Sequence, residues 1–184
     1  MKAVELKHPL IEHKLSILRD KKTGTKEFRE IIKEIAMFLC YEAMKNVELD
    51  EVEITTPIEK MKTGKLNEDN YAFIPILRAG LGMVDGVTTV VPNAKIGHIG
   101  MYRNEETFEP VNYFFKVPKD IEHKEVFLLD PMLATGGSAI DAVDSSQMLT
   151  PIKVKDMWLN LSGIDTQIKN YIDVYQYKFV EKYP

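Results

Sequence analysis

The stretch Val126-Phe127-Leu128-Leu129-Asp130-Pro131-Met132-Leu133-Ala134-Thr135-Gly136-Gly137-Ser138 constrains the fold more than any other part of the chain. Val126 to Leu129 are apolar without alternation, which marks a parallel strand covered on both faces. A ligand in such a sheet sits beyond the carboxyl ends of the strands, and Asp130 falls at that end. Past it, Gly136 and Gly137 let the backbone close around an anion. Thr135, Ser138 and the free N–H groups of a new helix offer donors, with the positive end of the helix dipole behind them. A plain strand, turn and helix start would use similar residues. An acidic residue directly before a small, Gly-rich turn fits a sugar phosphate better: the diol hydroxyls donate to Asp130 while the phosphate sits in Ala134 to Ser138.

The chain has 184 residues, near the size of one domain, and a single domain over 1–184 is expected. Its 24 basic and 28 acidic residues give a net charge of −4. That leaves no basic field for nucleic acid, so small anions must be held by local sites. Cys40 has no partner for an internal disulfide and falls in an apolar helical run, as a core thiol rather than a nucleophile. No apolar run reaches membrane-spanning length, and Lys2, Glu5 and Lys7 interrupt the first residues too often for a signal peptide. A cytoplasmic protein without membrane contact is expected.

From Thr25 to about Asn46, Phe28, Ile31, Ile32, Ile35, Leu39 and Ala43 recur at helical spacing, with Thr25 as N-cap. Val52 to Pro57 reads as an edge strand, Thr63-Gly64-Lys65 as a turn and Tyr71 to Leu77 as a central strand. Ala79 to Val91 predicts a helix, Lys95 to Met101 a strand, Gly137 to Met148 a helix, and Val154 to Leu161 and Asp173 to Phe179 two further strands. Alternating strands and helices imply an α/β fold with a doubly wound, mostly parallel sheet and N-terminal helices. Between Tyr102 and Pro118 the set Thr107, Glu109, Val111, Tyr113, Phe115 and Val117 alternates around Glu109-Pro110, which predicts a projecting β-arm. Its aromatic residues Phe108, Tyr113, Phe114 and Phe115 call for cover by a partner subunit or an active-site lid.

Pro75-Ile76-Leu77-Arg78-Ala79-Gly80-Leu81-Gly82 repeats the strand-then-anion-loop logic. Arg78 can clamp a pyrophosphate bidentately while the Ala79-Gly80 backbone approaches closely. Arg103, after the strand that ends Gly100-Met101-Tyr102, is a candidate second clamp. His98, in a strand between Gly97 and Gly100, reads as a packed residue. No His/Cys cluster has zinc spacing and no Ser/His/Asp arrangement is suggested, so no metal ligands are named.

His8-Pro9-Leu10 with Lys14-Leu15, Gly24-Thr25-Lys26-Glu27-Phe28-Arg29, Pro75 to Met83, Gly97-His98-Ile99-Gly100 with Tyr102-Arg103, and Asp130 to Ser138 resemble, in order, the uracil phosphoribosyltransferase branch of the type I phosphoribosyltransferases. The likeness covers roughly the first three quarters of the chain and thins beyond about Asp144. It implies that uracil and phosphoribosyl pyrophosphate give UMP and pyrophosphate, with Mg²⁺ carried on the pyrophosphate. Arg78 and Arg103 would hold the pyrophosphate, together with Ala79 and Gly80. Asp130, Pro131, Met132, Leu133, Ala134, Thr135, Gly136, Gly137 and Ser138 would hold the ribose and its phosphate. The resemblance also implies a mobile arm, a homodimer or higher oligomer and, in some members, activation by GTP. The sequence ends at Tyr183-Pro184 without the family's Gly/Pro-rich loop that reads the uracil edge. No uracil-binding residue is therefore named, and slow UMP formation is the expectation. The alternative is a non-catalytic binder of phosphoribosyl pyrophosphate or a nucleotide, acting as a sensor or as partner to a full-length enzyme.

Overall fold

A computed structural model describes residues 5–103, 110–131 and 153–158. The first helix, α1 (Pro9–Arg19), starts where His8 Nδ1 accepts the Leu10 N–H at 3.2 Å and Pro9 takes a position that needs no amide proton. The second, α2 (Thr25–Ala43), buries Ile31, Ile32, Ile35, Ala36 and Cys40 along one stripe. It is capped by Gly24 rather than Thr25, which is already helical, and it ends short of Asn46. Glycine serves nearly as well as threonine at that position, so the sequence alone does not separate the two.

The next segment departs from expectation. Strands β1 (Asp50–Thr55) and β2 (Lys60–Lys65) form an antiparallel hairpin of their own, and Thr63, Gly64 and Lys65 lie within β2, opposite Val52, Glu51 and Asp50. The turn falls earlier, where Thr56 Oγ1 accepts from the Ile58 and Glu59 N–H groups at 3.2 and 3.0 Å. A Lys-rich run reads as a loop until its partners are in place. Lys62 then meets Glu51 at 2.7 Å and Lys60 meets Glu53 at 3.4 Å across the hairpin.

The main sheet is built from β3 (Tyr71–Leu77), β4 (Lys95–Ile96), β5 (His98–Arg103), β6 (Pro110–Lys116), β7 (Glu125–Asp130) and β8 (Lys153–Trp158). Its order is β6-β5-β3-β7-β8, with the short β4 beside β3. All pairings are parallel except β5 with β6. The strand predicted over Lys95 to Met101 is broken at Gly97, whose N–H instead reaches the Phe73 carbonyl at 3.1 Å. The helix and strand predicted over 137–148 and 173–179 lie outside the described residues.

Apolar runs without alternation are explained by two cores. Tyr71, Phe73, Phe127 and Leu129 pack with α2 and with Met83 and Val87 of α3 (Leu81–Val90). Ala72, Ile74, Ile76, Val126 and Leu128 face the other side, with Ile99 and Ile121. Helix α3 lies so close to α2 that a Cβ on Gly86 would fall 2.7 Å from the Ala36 Cβ and nearer still to the Lys33 carbonyl oxygen. This contact fixes α3, and with it the turn that precedes α3. At the amino edge of the sheet the buried Lys124 donates to the Asp69 carbonyl at 2.5 Å and pairs with Asp120 at 2.8 Å, while Lys95 pairs with Asp69 at 2.8 Å. These lysines hold the carboxyl groups of Asp69 and Asp120 below the ordinary range, chiefly through hydrogen bonding.

Strands β5 and β6 pair antiparallel from His98 with Lys116 to Arg103 with Pro110, with a bulge at Gly100/Met101, which makes β6 an edge of the main sheet. Pro110 pairs with Arg103, and residues 104–109 between them, with the expected turn at Glu109, lie outside the described residues. Tyr102, Tyr113 and Phe114 are exposed, and the two tyrosine rings lie 6.1 Å apart. Phe115 instead packs against the second core, and Phe108 lies outside the described residues.

Two outcomes follow for the α2–α3 layer. Alanine in place of a helical glycine ordinarily stabilises by about 1 kcal/mol. Gly86→Ala should instead destabilise by about 1–3 kcal/mol, because the new methyl meets the Lys33 backbone, and a denaturant titration reads the sign directly. Burial pushes the Cys40 thiol up to about 12. A chromogenic disulfide at about pH 8 should therefore leave Cys40 untouched in the folded chain and react with it once denaturant unfolds α2.

Candidate active site

The order of the sheet selects one place for a ligand. The crossover after β3 runs through α3 to β5 on one side, whereas the one after β7 leads to β8 on the other. Adjacent parallel strands whose connections diverge leave a crevice at their carboxyl ends, and here that crevice lies between β3 and β7. Leu77, which pairs with Gly100, is followed by Arg78, and β7 ends on Asp130. Strand β5 carries Arg103 to the same end of the sheet. Three neighbouring strands, about 4.8 Å apart, thus bring positions 103, 78 and 130 to the same end of the sheet, staggered along it.

After β3 the chain doubles back at once. The Leu77–Arg78 peptide bond is cis. The Gly80 N–H returns to the Ile76 carbonyl at 2.9 Å, and the Leu81, Gly82 and Met83 N–H groups reach Arg78, Ala79 and Gly80 carbonyls at 3.3, 3.3 and 3.0 Å. Arg78 and Ala79 are exposed at the tip, while Gly80 and Met83 are buried beneath it. A guanidinium on a short turn whose two ends are fixed in the core can meet a bidentate anion without ordering a long loop.

Asp130 is only 8% exposed. Among the described residues, Lys124 is the other buried charged side chain, and it belongs to the opposite edge of the sheet, where Asp69 and Asp120 partner it. Asp130 is therefore the buried charge at the ligand end, held where β7 stops opposite Trp158 of β8. A buried carboxylate accepts hydrogen bonds only, which suits vicinal hydroxyls. Pro131 is buried directly after it. Met132, Leu133, Ala134, Thr135, Gly136, Gly137 and Ser138 lie outside the described residues.

His98 starts β5, half-buried at the far end of that strand from Arg103, and so stands apart from the carboxyl ends. An open cavity of about 340 Å³ is lined by Ser16, Ile17, Asp20, Lys22, Thr23 and Glu27, none of which is a strand-end residue. The contact that the sequence did not reveal is between Gly80 and the last residues of β7. A Cβ on Gly80 would press into the Leu129 carbonyl oxygen.

A family model described as uracil phosphoribosyltransferase matches residues 5–159, past the point near Asp144 where the motif likeness thins. The uracil phosphoribosyltransferase of Clostridium botulinum (strain Eklund 17B) is 58% identical over 142 residues, covering 77% of this chain and 68% of that protein. The one from Macrococcus caseolyticus is 48% identical over 169 residues, covering 91% of this chain and 81% of its own length. Among solved structures, the AQ2163 protein of Aquifex aeolicus superposes with a TM-score of 0.77 at 44% identity, over 83% of this chain and 73% of that one. A hypoxanthine-guanine phosphoribosyltransferase from Bacillus anthracis, at 14% identity and a TM-score of 0.50 over 71% of this chain and 66% of that one, shares the fold. With its parallel sheet, its strand-end arginine and aspartate and this likeness over most of its length, the chain belongs to the uracil phosphoribosyltransferase family.

Proposed function

We propose that the chain transfers the 5-phosphoribosyl group of phosphoribosyl pyrophosphate to a ring nitrogen of uracil, giving UMP and pyrophosphate. The observation that carries this reading is the placement of Arg78 and Asp130 at the carboxyl ends of adjacent parallel strands, at the crevice that the described strands open between β3 and β7. In the reaction the bond from ribose C1 to pyrophosphate oxygen breaks and its electron pair leaves with the pyrophosphate. A bond from C1 to uracil nitrogen forms, and that nitrogen gives up its proton. Positive charge grows on the sugar ring and negative charge on the leaving group, so catalysis consists mainly of electrostatic support and positioning.

In this reading Arg78 and Arg103, with the Ala79-Gly80 backbone, hold the leaving pyrophosphate. Asp130 accepts from the ribose hydroxyls, and Pro131 to Ser138 enclose the 5-phosphate. Among the described residues no group of three or more His, Cys, Asp or Glu is placed to hold a metal ion. From the family resemblance, Mg²⁺ would be carried in on the pyrophosphate beside Arg78 and Arg103 and would neutralise charge on the leaving group. The exposed Tyr102, Tyr113 and Phe114 on the β5–β6 arm support a lid over the site or a contact in a homo-oligomer. No described helix is long and apolar enough to cross a membrane. A cytoplasmic enzyme of nucleotide salvage, open to activation by GTP, completes the proposal from the family resemblance. The shared name of the relatives favours transfer over a non-catalytic nucleotide binder.

Two substitutions separate the roles. Arg78→Ala should weaken both phosphoribosyl pyrophosphate and plain pyrophosphate by about 1.5–3 kcal/mol, the scale of hydrogen bonds to a charged group. Asp130→Asn should weaken phosphoribosyl pyrophosphate by a similar amount and leave pyrophosphate nearly unchanged, because pyrophosphate has no diol. Calorimetric titration of both ligands with Mg²⁺ measures this. If Asp130→Asn weakened both ligands equally, the carboxylate would not be reading the ribose. Formation of labelled UMP from labelled uracil, dependent on phosphoribosyl pyrophosphate, tests the transfer itself, and its absence under saturating ligand would overturn the proposal.

A further inference from the structure

Gly80 has φ −61° and ψ −20°, a conformation open to any residue, so backbone geometry does not demand glycine there. Space does. A Cβ at this position would lie 2.8 Å from the Ile76 nitrogen and 2.9 Å from the Ile76 oxygen, and it would press harder still on the carbonyl oxygen of Leu129. All three are main-chain atoms of β3 and β7, which cannot swing aside as a side-chain tip can. Leu129 pairs with Pro75 and directly precedes Asp130. The turn that carries Arg78 therefore rests on the strand that carries Asp130, and it rests there through Gly80.

Resting on the site assignment above, we propose that Gly80 is a positioning residue. It sets the distance between the arginine that takes the pyrophosphate and the carboxylate that takes the ribose, without itself contributing a side chain to either. Phosphoribosyl pyrophosphate joins those two groups through a single C1–O linkage, so both ends bind together only when the spacing of the protein matches that of the ligand. A displacement of about 1 Å can cost about a hundredfold in such a site. A methyl group at position 80 must lift the turn off Leu129 by an amount on that scale, leaving each half able to bind its own fragment.

The test compares three ligands on wild type and Gly80→Ala: Mg²⁺-phosphoribosyl pyrophosphate, Mg²⁺-pyrophosphate and ribose 5-phosphate. The expected result is a loss of about thirtyfold or more for the joined ligand, about tenfold greater than the loss for either fragment. Gly82→Ala is the control from the same segment, because a Cβ there meets only the Ile32 side chain, at 3.3 Å. It should leave all three affinities within about twofold. Equal losses for pyrophosphate and the joined ligand would show that Gly80 shapes only its own turn, and unchanged affinities would remove its role; either overturns the inference while the site assignment stands. A wild-type chain that binds none of the three ligands would overturn both. Should Gly80→Ala not fold, the wild type still decides. Ribose 5-phosphate, bound on the Asp130 side alone, should shift the Gly80 amide resonance, and a stationary resonance at saturation would contradict the contact as a link between the two halves.

Discussion

The parallel pairing of β3 with β7, buried on both faces, is the constraint on which the rest depends. Tyr71 to Pro75 lie in register with Glu125 to Leu129, and the side chains of each strand divide between two cores. A pair enclosed in this way cannot slip by one residue without exchanging every side chain between the cores. That rigidity is what a strand-end site needs. Asp130 is held level with the end of β3 by the same register that packs Phe127 against Phe73, their rings 5.2 Å apart.

Charge is distributed along the sheet in keeping with this division. At the amino edge Lys124, Lys95, Asp69 and Asp120 satisfy one another and fasten the starts of β3, β4 and β7. At the carboxyl edge Arg78 is exposed on a turn held by main-chain bonds from the Gly80 to Met83 N–H groups, and Asp130 is buried. One end is closed by ion pairs, and the other, where the candidate site lies, places an exposed guanidinium near a buried carboxylate. Helix α3 joins the two requirements, since Gly86 lets it seat against α2 while its first turn anchors the segment bearing Arg78.

Much of this was legible in the sequence because burial on both faces writes itself as an unbroken apolar run. Tyr71 to Leu77 and Val126 to Leu129 are such runs, and the residues just past them make up the candidate site. The strand over Val52 to Pro57 was legible, but its partner β2 was not, since Lys60 and Lys62 look like solvated loop residues until pairing brings them to Glu53 and Glu51. The break at Gly97 and the cap at Gly24 escaped for a related reason: glycine is compatible with strand, cap and turn, and only tertiary contacts choose. The seat of Gly80 on Leu129 is a contact between distant parts of the chain, and a single sequence carries no sign of it.

The central claim is that phosphoribosyl pyrophosphate binds across the carboxyl ends of β3 and β7. Amide hydrogen exchange with and without Mg²⁺-phosphoribosyl pyrophosphate tests it most directly. The account predicts slower exchange at residues 77–82 and 129–130 on binding, with residues 68–70, 93–95 and 121–125 at the amino edge unchanged. Protection at the amino edge, or binding that leaves residues 77–82 exchanging as before, would contradict it.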